Sequence, residues 1–163
     1  MASRLIGFPN PVNEKAARVV AGGVVVLTVL TLATQWWWLS AVLAAGFLAR
    51  VLTGPRLSPL GQLATRVVAP RLGPPREVPG PPKRFAQAIG LTVTTAAAIA
   101  WLGFGTAVVT AGLLILLLAF ALLESLAGFC AGCWLFAQLM RVGVIPESTC
   151  TACADIWSRA GSA

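Results

Sequence analysis

The stretch TAVVTAGLLILLLAFALLESLAGFCAGCWLFAQLMRVGVIPESTCTAC, Thr106 to Cys153, is an apolar run that outlasts a membrane and ends in four cysteines, Cys130-Ala-Gly-Cys133 and Cys150-Thr-Ala-Cys153. Its first 36 residues, Thr106 to Arg141, contain no proline. As one helix they would measure about 54 Å, against roughly 30 Å of hydrocarbon. Either the helix projects from the membrane, or it bends near Gly128 and continues along the interface. In the second case Phe129, Trp134, Leu135, Phe136 and Leu139 face the apolar phase and Gln138 and Arg141 face water. Gly128 is the residue of low helix propensity at the right depth for such a bend. Both courses bring Cys130 and Cys133 to the membrane surface.

Cysteines at i and i+3 share a helix face, close enough to pair or to chelate a soft metal. If a helix restarts at Gly128, Cys130 lies in its first turn, where the helix dipole and free amides favour the thiolate. A continuous helix offers no such activation. The full pattern, C-x2-C-x16-C-x2-C, lies within the spacing range of four-cysteine zinc sites. Cys130, Cys133, Cys150 and Cys153 are therefore candidate ligands of a structural zinc. The same four residues are equally candidates for a dithiol relay with Cys130 as nucleophile, Cys133 resolving and the second pair exchanging with them. An iron–sulfur centre or unrelated buried thiols complete the alternatives. Glu124, six residues before Cys130 in an apolar run, is a candidate proton carrier for thiol chemistry. Its other reading is an interfacial charge at the helix end, or the partner of Arg50 or Arg84.

Composition makes the rest of the chain a membrane scaffold. Of 163 residues 58% are hydrophobic and 10% charged, against about a quarter charged in soluble domains. No histidine is present, which removes histidine-based acid–base catalysis, histidine triads, Cys2His2 zinc and histidine-ligated haem. Five scattered carboxylates (Glu14, Glu77, Glu124, Glu147, Asp155) suggest no paired-carboxylate site. The fold class expected is an all-α integral membrane protein: four transmembrane helices in two hairpins with an interfacial amphipathic helix between them. The membrane domain covers residues 16–142, after an N-terminal tail of residues 1–15 and before a cysteine-bearing tail, 143–163.

The spans expected are 16–34, read as an uncleaved first helix, then 36–53, 85–103 and 106–127. Trp36, Trp37 and Trp38 open the second at the headgroup level. The third is rich in small residues and is expected to be the most enclosed. Ser58 as N-cap and Pro59 at the first helical position start the interfacial helix, 58–69, with Leu60, Leu63, Ala64, Val67 and Val68 at helical spacing and Pro70 as its stop. Residues 70–83 hold six prolines and read as a stiff, extended connector.

With four spans, all twelve basic residues fall on one side: Arg4, Lys15 and Arg18; Arg50, Arg56, Arg66, Arg71, Arg76, Lys83 and Arg84; Arg141 and Arg159. The positive-inside bias then puts both termini and the central connection in the cytoplasm, at a cell inner membrane. The net charge of +7 faces anionic headgroups, so nucleic acid is not an expected partner. Secreted-thiol oxidation is likewise excluded by cysteines on the inner side. Transport would need a polar path through the bilayer, for which Glu124 and scattered threonines are the meagre material.

Gly54-Pro55-Arg56-Leu57-Ser58-Pro59, Pro81-Pro82-Lys83-Arg84-Phe85-Ala86-Gln87 and Gly128-Phe129-Cys130-Ala131-Gly132-Cys133, in that order, resemble the bacterial membrane family of domain of unknown function 4395 over about Asn10 to Arg141. The resemblance implies a small four-helix membrane protein whose Cys-x-x-Cys after the last helix maps onto Cys130 and Cys133, and it carries no established activity. It points to thiol or sulfur chemistry with a cytoplasmic thioredoxin-like or sulfurtransferase partner. Cys150 and Cys153 lie past its core. The two functions carried forward are a thiol or sulfur relay in the lipid bilayer, and a non-enzymatic subunit of a larger membrane complex held by a four-cysteine zinc site.

Overall fold

The computed structural model describes residues 7–150 and Cys153. Arg4, Asp155 and Arg159, on which part of the charge reading rests, lie outside them. Asn13 starts α1 (Glu14–Thr34), its side chain accepting from the Lys15 amide at 3.0 Å. Within this apolar helix the hydroxyls of Thr28, Thr31 and Thr34 each donate to the carbonyl four residues back at 2.7 Å. No polar group is thus left bare where water is absent. The helix ends at Gln35, in left-handed conformation at φ 56°.

The expected second span differs at its start. Trp36, Trp37 and Trp38 form the turn, and α2 runs only from Leu39 to Thr53, 15 residues or about 22 Å. Trp36 and Trp38 point outward, while Trp37 packs inward with its ring centroid 6.2 Å from that of Trp101.

Ser58 caps α3 (Pro59–Leu63) as expected, accepting from the Gly61 amide at 3.2 Å. A π-helical turn (Ala64–Val68) and α4 (Ala69–Arg71) follow, so Pro70 does not end the segment. Pro70 comes directly after the π-helical turn, in a segment that stays helical to Arg71. The apolar residues of this segment divide between two surroundings. Leu60, Ala64 and Ala69 pack on Ala16 and Val20 of α1, and Leu63 and Val67 face outward.

The proline-rich connector is shorter than its sequence suggests. β2 (Glu77–Val78) pairs antiparallel with β1 (Val12–Asn13), and α5 already begins at Gly80 and runs to Leu102. Pro81 and Pro82 occupy its first turn, where prolines are compatible with a helix, and Asn10 Oδ1 accepts from the Gly80 amide at 3.0 Å.

α6 (Ala107–Leu122) passes into a π-helical turn (Leu123–Ala127) and stops at Gly128, at φ 69°. The amides of Gly128 and Phe129 close the end on the carbonyls of Glu124 and Leu123. α7 (Ala131–Arg141) then starts afresh. Of the two courses open to this stretch, the chain takes the bend.

One core joins the four long elements: Val24 of α1, Leu43 and Phe47 of α2, Ala97 of α5, and Leu114, Leu117 and Ala121 of α6. α5 packs against α2, α6 and α7, with Gly90, Thr94, Ala97, Ala98 and Ala100 among its buried residues. Among the described residues three helices are long and apolar enough to cross a membrane, Glu14–Thr34, Gly80–Leu102 and Ala107–Ala127. Their outer faces carry exposed Val26, Val29, Ile99, Val108, Ile115 and Phe120, an apolar surface suited to lipid.

Candidate functional site

The site forms where the ends of the long helices meet. Arg18 of α1 donates to the carbonyls of Ser125 and Leu126 at 3.2 and 2.7 Å, holding the last turn before Gly128. Gly128 reverses the chain so that Cys130 becomes the N-cap of α7. α7 is held against α5 by Phe136, whose ring meets Phe85 edge-on at 5.6 Å, and by Gly132, where a Cβ would stand 2.6 Å from that of Ala86. Phe136 is buried; Phe129, Trp134 and Leu135 face outward, unlike a helix with all its apolar residues covered by protein.

At this N-cap the Cys130 sulfur accepts the Cys133 amide at 3.3 Å and the Cys133 thiol at 2.7 Å. The hydrogen bond from the Cys133 thiol lowers the Cys130 pKa, helped by Lys83 and the Cys133 amide and opposed by burial and Glu124. The same hydrogen bond, with burial, pushes the Cys133 thiol far up. The pair is therefore unequal: the Cys130 thiol is the more acidic of the two and the Cys133 thiol the less.

Glu124 pairs with neither Arg50 nor Arg84. Its Oε1 lies 2.7 Å from Nζ of Lys83, with both side chains at most 15% exposed. Arg84 instead donates to the Val51 carbonyl at 3.1 Å. Arg50 donates to Gln87 Oε1 at 2.8 Å and Ser58 Oγ at 3.3 Å, its guanidinium 4.4 Å from the centre of the Phe47 ring. Lys83 was the residue missed by sequence reasoning. It was hidden by assignment to the connector, and its signal is its place just inside a helix opened by Pro81 and Pro82.

Two cavities meet at Cys130. One, of about 730 Å³, is lined by Glu14, Arg76, Lys83, Cys130, Cys133, Arg141 and Cys153 among others. The other, about 290 Å³ and mostly apolar, lies inside the helix bundle and has Cys130 and Glu124 among its lining residues. Cys150 and Cys153 are joined to each other by a disulfide, with Cys150 buried. The four cysteines thus stand as a dithiol and a disulfide. Among the described residues no three Cys, Asp or Glu side chains converge as metal ligands, so the expected four-thiolate arrangement is not the one adopted here.

A family model described as a domain of unknown function (DUF4395) matches residues 12–141. The chain belongs to the DUF4395 family. The matched region contains the whole bundle with Lys83, Glu124, Cys130 and Cys133, whereas Cys150 and Cys153 fall beyond the DUF4395 match. No curated protein and no solved structure gives a significant match to the chain.

Proposed function

We propose that this DUF4395 protein is a membrane-embedded thiol relay, with Cys130 as nucleophile, Cys133 as resolving thiol, and Cys150 and Cys153 as the pair that exchanges with them and with a soluble thioredoxin-like or sulfurtransferase partner. The observation that carries this reading is the pair at the start of α7, two sulfurs held 2.7 Å apart in one turn, close enough to join as a disulfide with little movement. The presence of Cys153 on the same cavity supports the exchange. In it the Cys130 thiolate attacks the Cys153 sulfur, the S–S bond to Cys150 breaks, and Cys150 leaves as thiolate. Cys133 then loses its proton to Cys150 and attacks Cys130, and Cys153 leaves as thiolate. Two electrons have moved from one pair to the other, and the step runs equally in reverse.

The membrane arrangement that accompanies this function has four crossings in two hairpins, α2 being the shortest. Trp36 and Trp38 stand at the headgroup level, and the bilayer thins or α2's flanking residues extend to meet it. α3 and α4 lie at the interface. The basic ends, with both cysteine pairs and both termini, face the cytoplasm of a bacterial inner membrane. A membrane-impermeant maleimide should label Cys130 only after that membrane is opened, and labelling from the periplasm would reverse the orientation.

Trapping tests the relay. In the double variant Cys133→Ser, Cys150→Ser, a Cys130–Cys153 bond should accumulate under mild oxidation and be found by peptide mass spectrometry. Zinc bound one per chain, with all four thiols of the native protein protected from oxidation, would instead establish the scaffold reading and end this one.

A further inference from the structure

We infer that the Cys130–Cys133 dithiol delivers its electrons to a quinone dissolved in the membrane, whose ring enters the apolar cavity inside the bundle. This rests on the thiol-relay reading and names the electron acceptor for it. The cavity's walls come from α1, α2, α5, α6 and α7, and its volume of about 290 Å³ suits one substituted ring. Its polar side chains are Gln87, Glu124 and Cys130, with Lys83 holding the carboxylate. Phe120, Trp134 and Leu135, which also line it, are 40–54% exposed on the outer face of the protein. Its mouth therefore opens among residues suited to lipid, and a ligand with an isoprenoid tail can enter sideways and leave the tail outside. Cys130 also lines the larger cavity with Cys153, so this one residue borders both the cavity that Cys153 lines and the membrane-side pocket.

An acyl chain would fill the same apolar walls. However, acyl transfer to Cys130 uses one thiol only, and it leaves the Cys133 thiol at 2.7 Å and the buried Lys83–Glu124 pair without a task. Quinone reduction uses both thiols and Lys83. The Cys130 thiolate adds to the ring, forming a C–S bond. Cys133 attacks the Cys130 sulfur, the S–S bond forms, the C–S bond breaks, and the ring departs with the electron pair. Of the two protons on the quinol, one comes from the Cys133 thiol. The other comes from Lys83, which is reprotonated from the larger cavity that it also lines. The new disulfide then takes two electrons from the reduced Cys150–Cys153 pair, which sets the direction of the relay.

The test uses the reduced full-length protein in detergent with decylubiquinone as the electron acceptor and 5,5′-dithiobis(2-nitrobenzoate) as a soluble disulfide. Wild type should reduce one quinone per two thiols lost. Val93→Phe, which places a ring in the cavity from α5, should slow quinone reduction by at least about tenfold while reaction with the soluble disulfide is unchanged, which also reports that the fold is kept. Ile99→Ala, on the exposed apolar face of α5 outside this cavity, should keep the quinone rate within about twofold. Reaction of wild type with the soluble disulfide but not with quinone would overturn the inference and leave the relay standing. Reaction with neither would remove both. A quinone rate unaffected by Val93→Phe would also overturn it, because reduction would then occur outside this cavity.

Discussion

Replacing Gly132 by alanine tests whether α7's seat on α5 is what creates the reactive thiol. The added Cβ would lie 2.6 Å from the Ala86 Cβ and 2.7 Å from its Cα, where ordinary contact begins at 3.4 Å. Relief requires α7 to move away by about 1 Å, and overpacking of this kind costs about 1–3 kcal/mol. The mobile partner is α7 rather than α5, because α5 is also fixed by α2 and α6. Gly132 lies in the turn between Cys130 and Cys133, so the displacement is greatest there and distorts that turn, which lengthens the 2.7 Å contact between the two cysteines and weakens the principal cause of the lowered thiol pKa. Gly132→Ala should therefore lower the midpoint of an SDS unfolding titration by the equivalent of about 2 kcal/mol. It should also slow iodoacetamide alkylation of Cys130 at pH 7 and move the alkylation pKa up towards 9.0. Ala86→Gly in the same chain removes the contact at 2.6 Å but not the one at 2.7 Å, so it should restore part of both losses, with a coupling of about 0.5–1.5 kcal/mol. An alanine variant with unchanged stability and unchanged alkylation would refute the claim that this helix contact sets up the site.

Lys83→Met strands the buried Glu124 carboxylate and should cost about 3–5 kcal/mol, while Lys83→Met with Glu124→Leu should recover most of it; equal instability of the two would show that the pair is not the coupled unit. Gly128→Ala forces a side chain into φ 69° and should cost about 1 kcal/mol while slowing Cys130 alkylation, whereas a substitution without effect would mean that the bend is not held there. Stability should also show a maximum near pH 9, for two opposed reasons. Cys130, its folded pKa depressed below 9.0, adds stability as pH rises towards that value and loses it as pH falls through the folded pKa. Cys133, its pKa raised, favours the folded state below 9.0 and loses that contribution as pH rises above it. Unfolding titrations from pH 6 to about 10.5 should show this maximum for the reduced protein and a flatter profile for Cys130→Ser with Cys133→Ser, and identical profiles would count against the unequal pair.

Much of this architecture is written locally in the chain. The apolar runs, Ser58-Pro59, and the length of Thr106–Arg141 against a bilayer depend on nearest neighbours and on helix rise alone. That is why the helices, the Ser58 cap and the need for a break or projection near Gly128 were legible. The spacing of Cys130 and Cys133 likewise put both thiols on one helix face. Proline punctuation was less informative, because the same residue that ends a helix also opens one. Pro81 and Pro82 open α5, and Pro70 lies within a continuing helical segment.

What tertiary structure alone decided was partnership. Lys83 and Glu124 are 41 residues apart, and Arg18 and Leu126 are 108 apart. No periodicity links such residues, and the two basic candidates that the sequence offers for Glu124, Arg50 and Arg84, both bond elsewhere. The choice fell to Lys83 because α5 begins early enough to bring it to the end of α6. The meeting of two cavities at Cys130 has the same origin. It depends on how five helices pack, and in particular on a glycine at position 132 that lets α7 lie directly on α5. The sequence by itself set the secondary structure and the inventory of thiols. Packing among distant segments determined which charge stands beside the thiols and which surfaces they face.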